Sequence, residues 1–457
     1  MKVEANIEIR LPVIFILLVG ALVGHQPTQK DGWKSLFQTA QIYYVSETGD
    51  DSNGCTQSAP CKTITVAIGL SQDGDTVIVS PGTYHEYVYV DKSITLISDG
   101  ATIDGTNANG RVNDGLVSVV ADKVIVRGFT IMNADEYGLA NFGSGSQFSN
   151  NVIHNTQGPG IWMRDGQFNT FDGNELYYTV LQNSGGFDGT NYICNPTTTS
   201  WPSSINPWGT AGSNVWRSNN IHDNCGEGIV VYSGDLVEGN TFKNNWSIEI
   251  YIVADRATVR NNTIIDTKPY VSRGFDQSWR SVPAGIAIGD EADCLADNNS
   301  ITGNSITGAR YGISFYAYKS CSGIKNSLIE NNTIVDTWEY GLKILAGAHM
   351  NSTIRDNTIQ LTSGRPLTIQ SGEFSMTGNT LFSNEDVIEW NGKTYDFSTW
   401  NSVVPGNFWG TGGIIIAPTP TPAVVVGAPS TTLKPSPLEL GGYYFRKLLI
   451  WLGWVDG

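Results

Sequence analysis

The sequence predicts an all-β fold built as one solenoid of short parallel strands, and three observations predict it. The stretch NNTIIDT at 261–267 returns as NNTIVDT at 331–337, and a shorter core, Asn followed two places on by Ile, Leu, Val or Phe, recurs along the chain. Its asparagines fall at Asn151, Asn174, Asn220, Asn240, Asn262, Asn304, Asn332, Asn357 and Asn379, in steps of 20–28 residues apart from two of 46 and 42. Each period alternates apolar with polar residues, is punctuated by Gly, Asn and Asp, and holds no 3.6-residue pattern. A fixed period of this size marks a repeat array, and period-two alternation makes each repeat a set of strands joined by tight turns.

Each part of the period has a physical role. After the Asn core comes a Gly or Ser opening an apolar alternation: GIWM at 160, GIVV at 228, SIEIYI at 247, GIAI at 285, GISF at 312 and GLKI at 341. Before the core lies a second short run, such as DLVE, ATVR, SLIE or STIR. A leucine-rich repeat is excluded because Leu is sparse. Coils of such strands stack about 4.8 Å apart. At that spacing the recurrent Asn can hydrogen-bond to its counterparts above and below, while the apolar residue two places on fills the core. The two long steps hold an insertion or an extra turn.

Composition narrows the setting. Of 457 residues, 15 % are charged, with 51 Gly, 13 Trp and 19 Tyr, a balance typical of extracellular β proteins. The formal net charge of −16 argues against nucleic acid and against unassisted binding of polyanions. Neutral glycans remain as partners, as do acidic ones bridged by Ca²⁺. No other cofactor is expected, and no CxxC pair or His cluster indicates a metal site.

The ends add location. Residues 1–24, with the apolar run LPVIFILLVGALVG, read as a signal peptide or an N-terminal anchor, its flank carrying charges of both signs. The solenoid occupies 41–410, a Pro/Thr-rich linker 411–441, and an apolar-aromatic tail 442–457, too short to span a bilayer. Either terminus could serve membrane or envelope attachment, and the tail equally reads as a disordered end. Six cysteines suit an oxidising compartment. Cys55 and Cys61 flank a short loop. Cys294 and Cys321 each lie nine residues after an equivalent Gly, on adjacent coils. That leaves Cys194 with Cys225, the alternative being that Cys225 is a free, buried thiol and Cys194 pairs with nothing.

Residues 43–104, YYVSETGDDSNGCTQSAPCKTITVAIGLSQDGDTVIVSPGTYHEYVYVDKSITLISDGATID, resemble the opening of right-handed parallel β-helix proteins of the pectin-lyase-like superfamily. The resemblance implies a right-handed coil and a short capping helix around KTITVAI. It implies a secreted protein, but not one activity, since members include lyases, hydrolases, epimerases and adhesins. The Asp pair with GHG and RIK motifs of polygalacturonase-like hydrolases is absent, as are the DPH motif of mannuronan epimerases and the Asp-rich calcium cluster of pectate lyases. The segment HDNCGEGIVVYSGDLVEGNTFKNNWSIEIYI at 222–252 resembles a recurrent segment of secreted β-helix proteins and supplies no mechanism.

Alternation ranks the surfaces. Counting from each opening Gly or Ser turns Trp162, Arg164, Val230, Tyr232, Glu249, Tyr251, Ser314 and Tyr316 outward. Ile161, Met163, Ile229, Val231, Ile248, Ile250, Ile313 and Phe315 then fill the core. Aromatic rings along a strand face make a platform for sugar rings, unless loops cover them and they are ordinary core. Two insertions, 178–217 and 268–283, hang beside this face; the second brings Trp279 and Arg280. Glu227 and Glu249 are expected on neighbouring coils about 11 Å apart at Cα, within reach of the ~6.5–9.5 Å carboxylate spacing of an inverting glycosidase, with Asp290 as a substitute for either. A lyase would instead need a base such as Arg164 or Arg280. The bland account of the Glu pair is two solvated carboxylates. His154 and His222 read as turn residues beside the Asn ladder. The expected function is a secreted or cell-surface protein that binds a polysaccharide or surface glycan through an aromatic and carboxylate-lined groove, and the sequence leaves open whether the carboxylates also cleave it. The alternative is a non-catalytic surface or adhesion protein.

Overall fold

A computed structural model describes residues 39–110, 115–194, 202–266, 284–289, 295–316 and 321–410. The expected leader at 1–24, the linker at 411–441 and the tail at 442–457 lie outside the described residues. Among the described residues, no helix is long and apolar enough to cross a membrane.

The chain is a right-handed parallel β-helix. Successive coils add one strand to each of three long sheets, and among the described residues each of these has 13 strands. We call them A, B and C in the order the chain meets them: Val215–Arg217, Asn220–His222 and Glu227–Val231 make one coil, and Leu236–Glu238 begins the next in sheet A. The interior is built from columns in register. Ile229, Ile250, Ile286, Ile313, Leu342 and Leu367 stack in sheet C, one per coil. All are buried, and burying each such side chain stabilises the fold by about 1.5–3 kcal/mol.

The turn from A to B explains the recurrent core. Its first residue adopts positive φ, supplied by Asn261 (55°), Asn331 (55°) or Asp356 (56°), and by Gly173 or Gly239 elsewhere. Short polar residues and Gly tolerate that region. The second residue is Ala101 and then Phe129 on the first such turns and Asn from Asn151 onward, whose amide donates to the next Asn along the axis: Asn151 to Asn174 (3.1 Å), Asn240 to Asn262 (3.0 Å), Asn304 to Asn332 (2.9 Å). Two particulars differ from the sequence reading. The ladder passes through Asn219, not Asn220, receiving from Asn174 at 3.0 Å and donating to Asn240 at 2.9 Å. It also extends one rung further, to Asn407.

Because Asn174 bonds directly to Asn219, the long step between them is an insertion and not an extra turn. It is shorter than 178–217, since Ser203–Trp208 and Val215–Arg217 are regular strands of sheets C and A. The first helix, α1 (Ile64–Leu70), covers one end of the coil, as expected, with Thr63 capping the Val66 amide and Ile64, Ala67 and Ile68 buried. A second helix, α2 (Phe397–Val403), was not anticipated; Asp396 caps it and Trp400 is fully buried. Covering the terminal strands in this way protects exposed sheet edges.

Candidate functional site

Sheet C shows its Ile column to the core and a second set of columns to the opposite side. One runs through Ala284, Tyr311, Tyr340 and Arg365. The next runs through Val230, Tyr251, Ala287, Ser314, Lys343, Thr368 and Glu389. These side chains form an apolar cluster separate from the core: Ile248, Tyr251, Val253, Ala284, Ala287 and Tyr311, flanked by half-buried Val230, Tyr232, Tyr316 and Tyr340. Ile248, expected in the core, belongs to this outer cluster.

The outer stripe is more covered than alternation implies. Tyr251 is 4 % exposed and lies across Gly289, where any side chain would collide with its hydroxyl. Trp162 is 6 % exposed, stacked on Tyr137 at 5.0 Å and edge-on to Phe142 at 5.4 Å. Arg164 is exposed beside Asp165, Nε–Oδ2 3.7 Å. Tyr232 and Tyr316 remain half-buried at the rim. Rings that stack on one another across coils cover themselves, which a single-strand reading does not register.

Neither paired glutamate is a solvated surface group. Glu227 is 4 % exposed and accepts a hydrogen bond from Ser203 Oγ at 3.0 Å. Glu249 is 1 % exposed; it accepts from the Asn245 backbone N–H at 2.9 Å and from Asn245 Nδ2 at 2.5 Å. The register Ile229↔Ile250↔Ile286 gives Glu249 the strand-opening position held by Gly228 and Gly285 on its neighbours. There, Cβ atoms on the two glycines would run into Phe242 and Ile306 of the interior. Glu249, and not Ser247, therefore takes the place of the repeat's Gly, and it stands one residue beyond the register partner of Glu227, its side chain turned inward. The expectation of two outward carboxylates facing one another is corrected by that shift. Asn245 belongs to a second polar ladder, Thr179–Asn224–Asn245, and Glu249 accepts from the Asn245 amide. Asp290, Trp279, Arg280 and the second insertion lie outside the described residues.

The densest polar arrangement on this face was missed by sequence reasoning. Lys343 donates to Tyr311 Oη at 3.1 Å, with its ammonium 4.2 Å from the Tyr311 ring centroid and 4.3 Å from that of Tyr340. Burial pulls the Lys343 ammonium below the usual lysine range and pushes Tyr311 up to about 12. Arg310 pairs with Glu339 at 2.6 Å, and Arg365 with Glu389 at 3.0 Å. The hydroxyls of Ser314 and Thr368, on the coils either side of Lys343, are buried without a hydrogen-bond partner among the described residues. A signal existed: the dipeptide Tyr-Gly at 137, 311 and 340 places a ring just before the strand-opening Gly, on the outward side.

Sheet B carries a second constellation. His154, Tyr177 and His222 are strand residues stacked in register, with ring centroids 4.7 and 5.3 Å apart. His222 bonds Asp223 through Nδ1 at 2.9 Å and Glu175 through Nε2 at 3.2 Å. Burial alone would lower its pKa, but those two hydrogen bonds and charges outweigh it and raise His222 to about 9; the same contact lowers Glu175. Beside them, the hairpin Ser184–Phe187 with Tyr192–Cys194 is tied to the coil by the Cys194–Cys225 disulfide, Cα–Cα 5.1 Å. Cys55–Cys61 is formed as well. Cys321 is disulfide-bonded, while Cys294, its expected partner, lies outside the described residues. Among the described residues, no group of three or more His, Cys, Asp or Glu is placed to hold a metal ion.

Residues 188–325 match a family model described as right handed beta helix region, and residues 47–110 one described as protein of unknown function (DUF1565). No curated protein matches the chain. Among solved structures, PfbA, a surface adhesin of Streptococcus pneumoniae, is similar with TM-score 0.53 and 14 % identity, covering 78 % of this chain and 94 % of that one. The GH136 lacto-N-biosidase from Eubacterium ramulus gives 0.48 and 14 %, covering 80 % and 66 %. Pectate lyase Pel9A gives 0.40 and 16 %, covering 74 % and 79 %. At these identities the likeness is one of fold.

Proposed function

We propose that the chain is an exported protein that binds a polysaccharide on the outer face of sheet C, holding it without cutting it. The observation that carries this reading is Lys343, boxed by Tyr311 and Tyr340 and flanked by the unpartnered hydroxyls of Ser314 and Thr368. Buried polar groups lacking partners mark places where a ligand or ordered water completes the bonding. Tyr232, Tyr316 and Tyr340 at the rim offer ring faces and hydroxyls to sugars, Tyr251 packs in the same cluster, and Trp162, stacked on Tyr137, would extend the platform on an earlier coil. The insertions after the B strands at Glu175–Tyr177 and Thr263–Ile265 would wall the face, the second offering Trp279 and Arg280 to a bound chain, with Asp290 next in sequence after the sheet C strand Ala284–Gly289. Arg164 would serve as a flanking contact.

Binding is favoured over hydrolysis because Glu227 and Glu249 are each buried and engaged, by Ser203 and Asn245. An adhesive surface protein fits the same observation. The disulfides and the apolar leader support an extracellular or surface location, and the net charge of −16 supports a partner other than nucleic acid. A glycan array probed with the wild type and with Tyr340→Ala and Lys343→Ala tests the reading. Each variant should weaken the best ligand about tenfold, or about 1.4 kcal/mol. Unchanged binding in both would exclude this face.

A further inference from the structure

Five Asn-Xaa-Ser/Thr triplets occur in the chain, beginning at Asn245, Asn261, Asn298, Asn331 and Asn351. The last four asparagines are exposed. Asn261 and Asn331 directly follow sheet A strands Thr258–Arg260 and Leu328–Glu330, whereas Asn298 and Asn351 precede Ser300–Thr302 and Ser352–Arg355. Those strands are consecutive in sheet A, so the four asparagines take one coil each and alternate between the sheet's two long edges.

All four adopt positive φ, at 55, 57, 55 and 51°. That geometry explains why Asn stands there, since it tolerates the left-handed region. It does not require the amide to be free. Comparable turn residues are tied down: Asn326 donates to Asp297 and Asn133 to Asp104, both at 2.9 Å. Among the described residues no such bond holds the amides of Asn261, Asn298, Asn331 or Asn351. Their hydroxyl partners Thr263, Ser300, Thr333 and Thr353 lie half-buried at the strand starts. The fifth triplet differs: Asn245 is 1 % exposed and its amide is spent on Ile221 and Glu249.

We propose that Asn261, Asn298, Asn331 and Asn351 are N-glycosylation sites and that Asn245 is not. In the transfer, the Asn amide nitrogen bonds to the anomeric carbon of a lipid-linked glycosyl phosphate or diphosphate. The carbon–oxygen bond to the leaving phosphate breaks, the amide loses one proton, and the lipid phosphate departs. The hydroxyl residue two places on completes the acceptor motif. The attached sugars would line both edges of sheet A and leave the outer face of sheet C uncovered. This inference needs export but not glycan binding on sheet C, so the two can fail separately.

Glycopeptide mass spectrometry on the full-length protein recovered from the cells that make it is the test. Peptides holding Asn261, Asn298, Asn331 and Asn351 should carry sugar mass increments, and the Asn245 peptide none. Thr263→Ala, Ser300→Ala, Thr333→Ala and Thr353→Ala should each remove one increment while keeping the asparagine. Bare peptides at all four positions, or an increment at Asn245 equal to theirs, would overturn the proposal.

Discussion

Glu249 binds Asn245 twice, its two carboxylate oxygens taking the Asn245 backbone N–H at 2.9 Å and side-chain amide at 2.5 Å. One coil earlier, Asn245 itself plays that part, accepting from Asn224 at 2.7 Å. An acidic side chain is thus the acceptor at this rung of the polar ladder.

Glu249→Ala should accordingly destabilise the protein by about 2–4 kcal/mol, since it strands two buried donors that now bond a charged acceptor. Glu249→Gln keeps one acceptor and should cost about half as much. Urea denaturation measures both. A Glu249→Ala protein as stable as wild type would show that the carboxylate is not structural.

His222 ties the strand at Glu175 to the turn at Asp223, and this contact titrates. Its folded pKa, about 9, lies above the ordinary 6.5. The stabilisation is therefore fully present below about pH 6.5 and is lost as pH rises through 9. Melting temperature in the wild type should fall across that interval, and in His222→Gln the slope should flatten. Parallel slopes in the two proteins would place the titration elsewhere.

The Cys194–Cys225 bridge spans 31 residues and fixes the hairpin whose rings, Phe187 and Tyr192, pack 5.1 Å apart. Replacing both cysteines by Ala should cost about 2–4 kcal/mol, chiefly by freeing the unfolded chain. Hydrogen exchange should also quicken in residues 184–194 before it does in the sheets. Equal stability and equal exchange would mean that packing alone holds the hairpin.

Much of this was legible because a repeat writes its geometry many times over. The Asn core, the inward Ile column and α1 follow from local pattern. Asn219 and Asn220 could not be told apart from a doublet of identical residues, although only one can face the axis. Glu249 was misplaced because Ser247 resembles an opening residue, and the true register appears only when Ile250 is matched to Ile229 and Ile286. Lys343 sits two places after Gly341 and is outward by simple counting. Its box, however, is made by Tyr311 from one coil and Tyr340 from its own, and no local pattern reports that meeting.

The central claim is that a polysaccharide lies on the outer face of sheet C around Lys343. Hydrogen–deuterium exchange of the full chain, with and without the best array ligand at saturation, tests it most directly. The account predicts slowed exchange in Tyr311–Tyr316 and Tyr340–Ile344, lost in Lys343→Ala at the same ligand concentration. Protection confined to the ring cluster of Tyr177, Phe187 and Tyr192, with Tyr340–Ile344 unchanged, would contradict it.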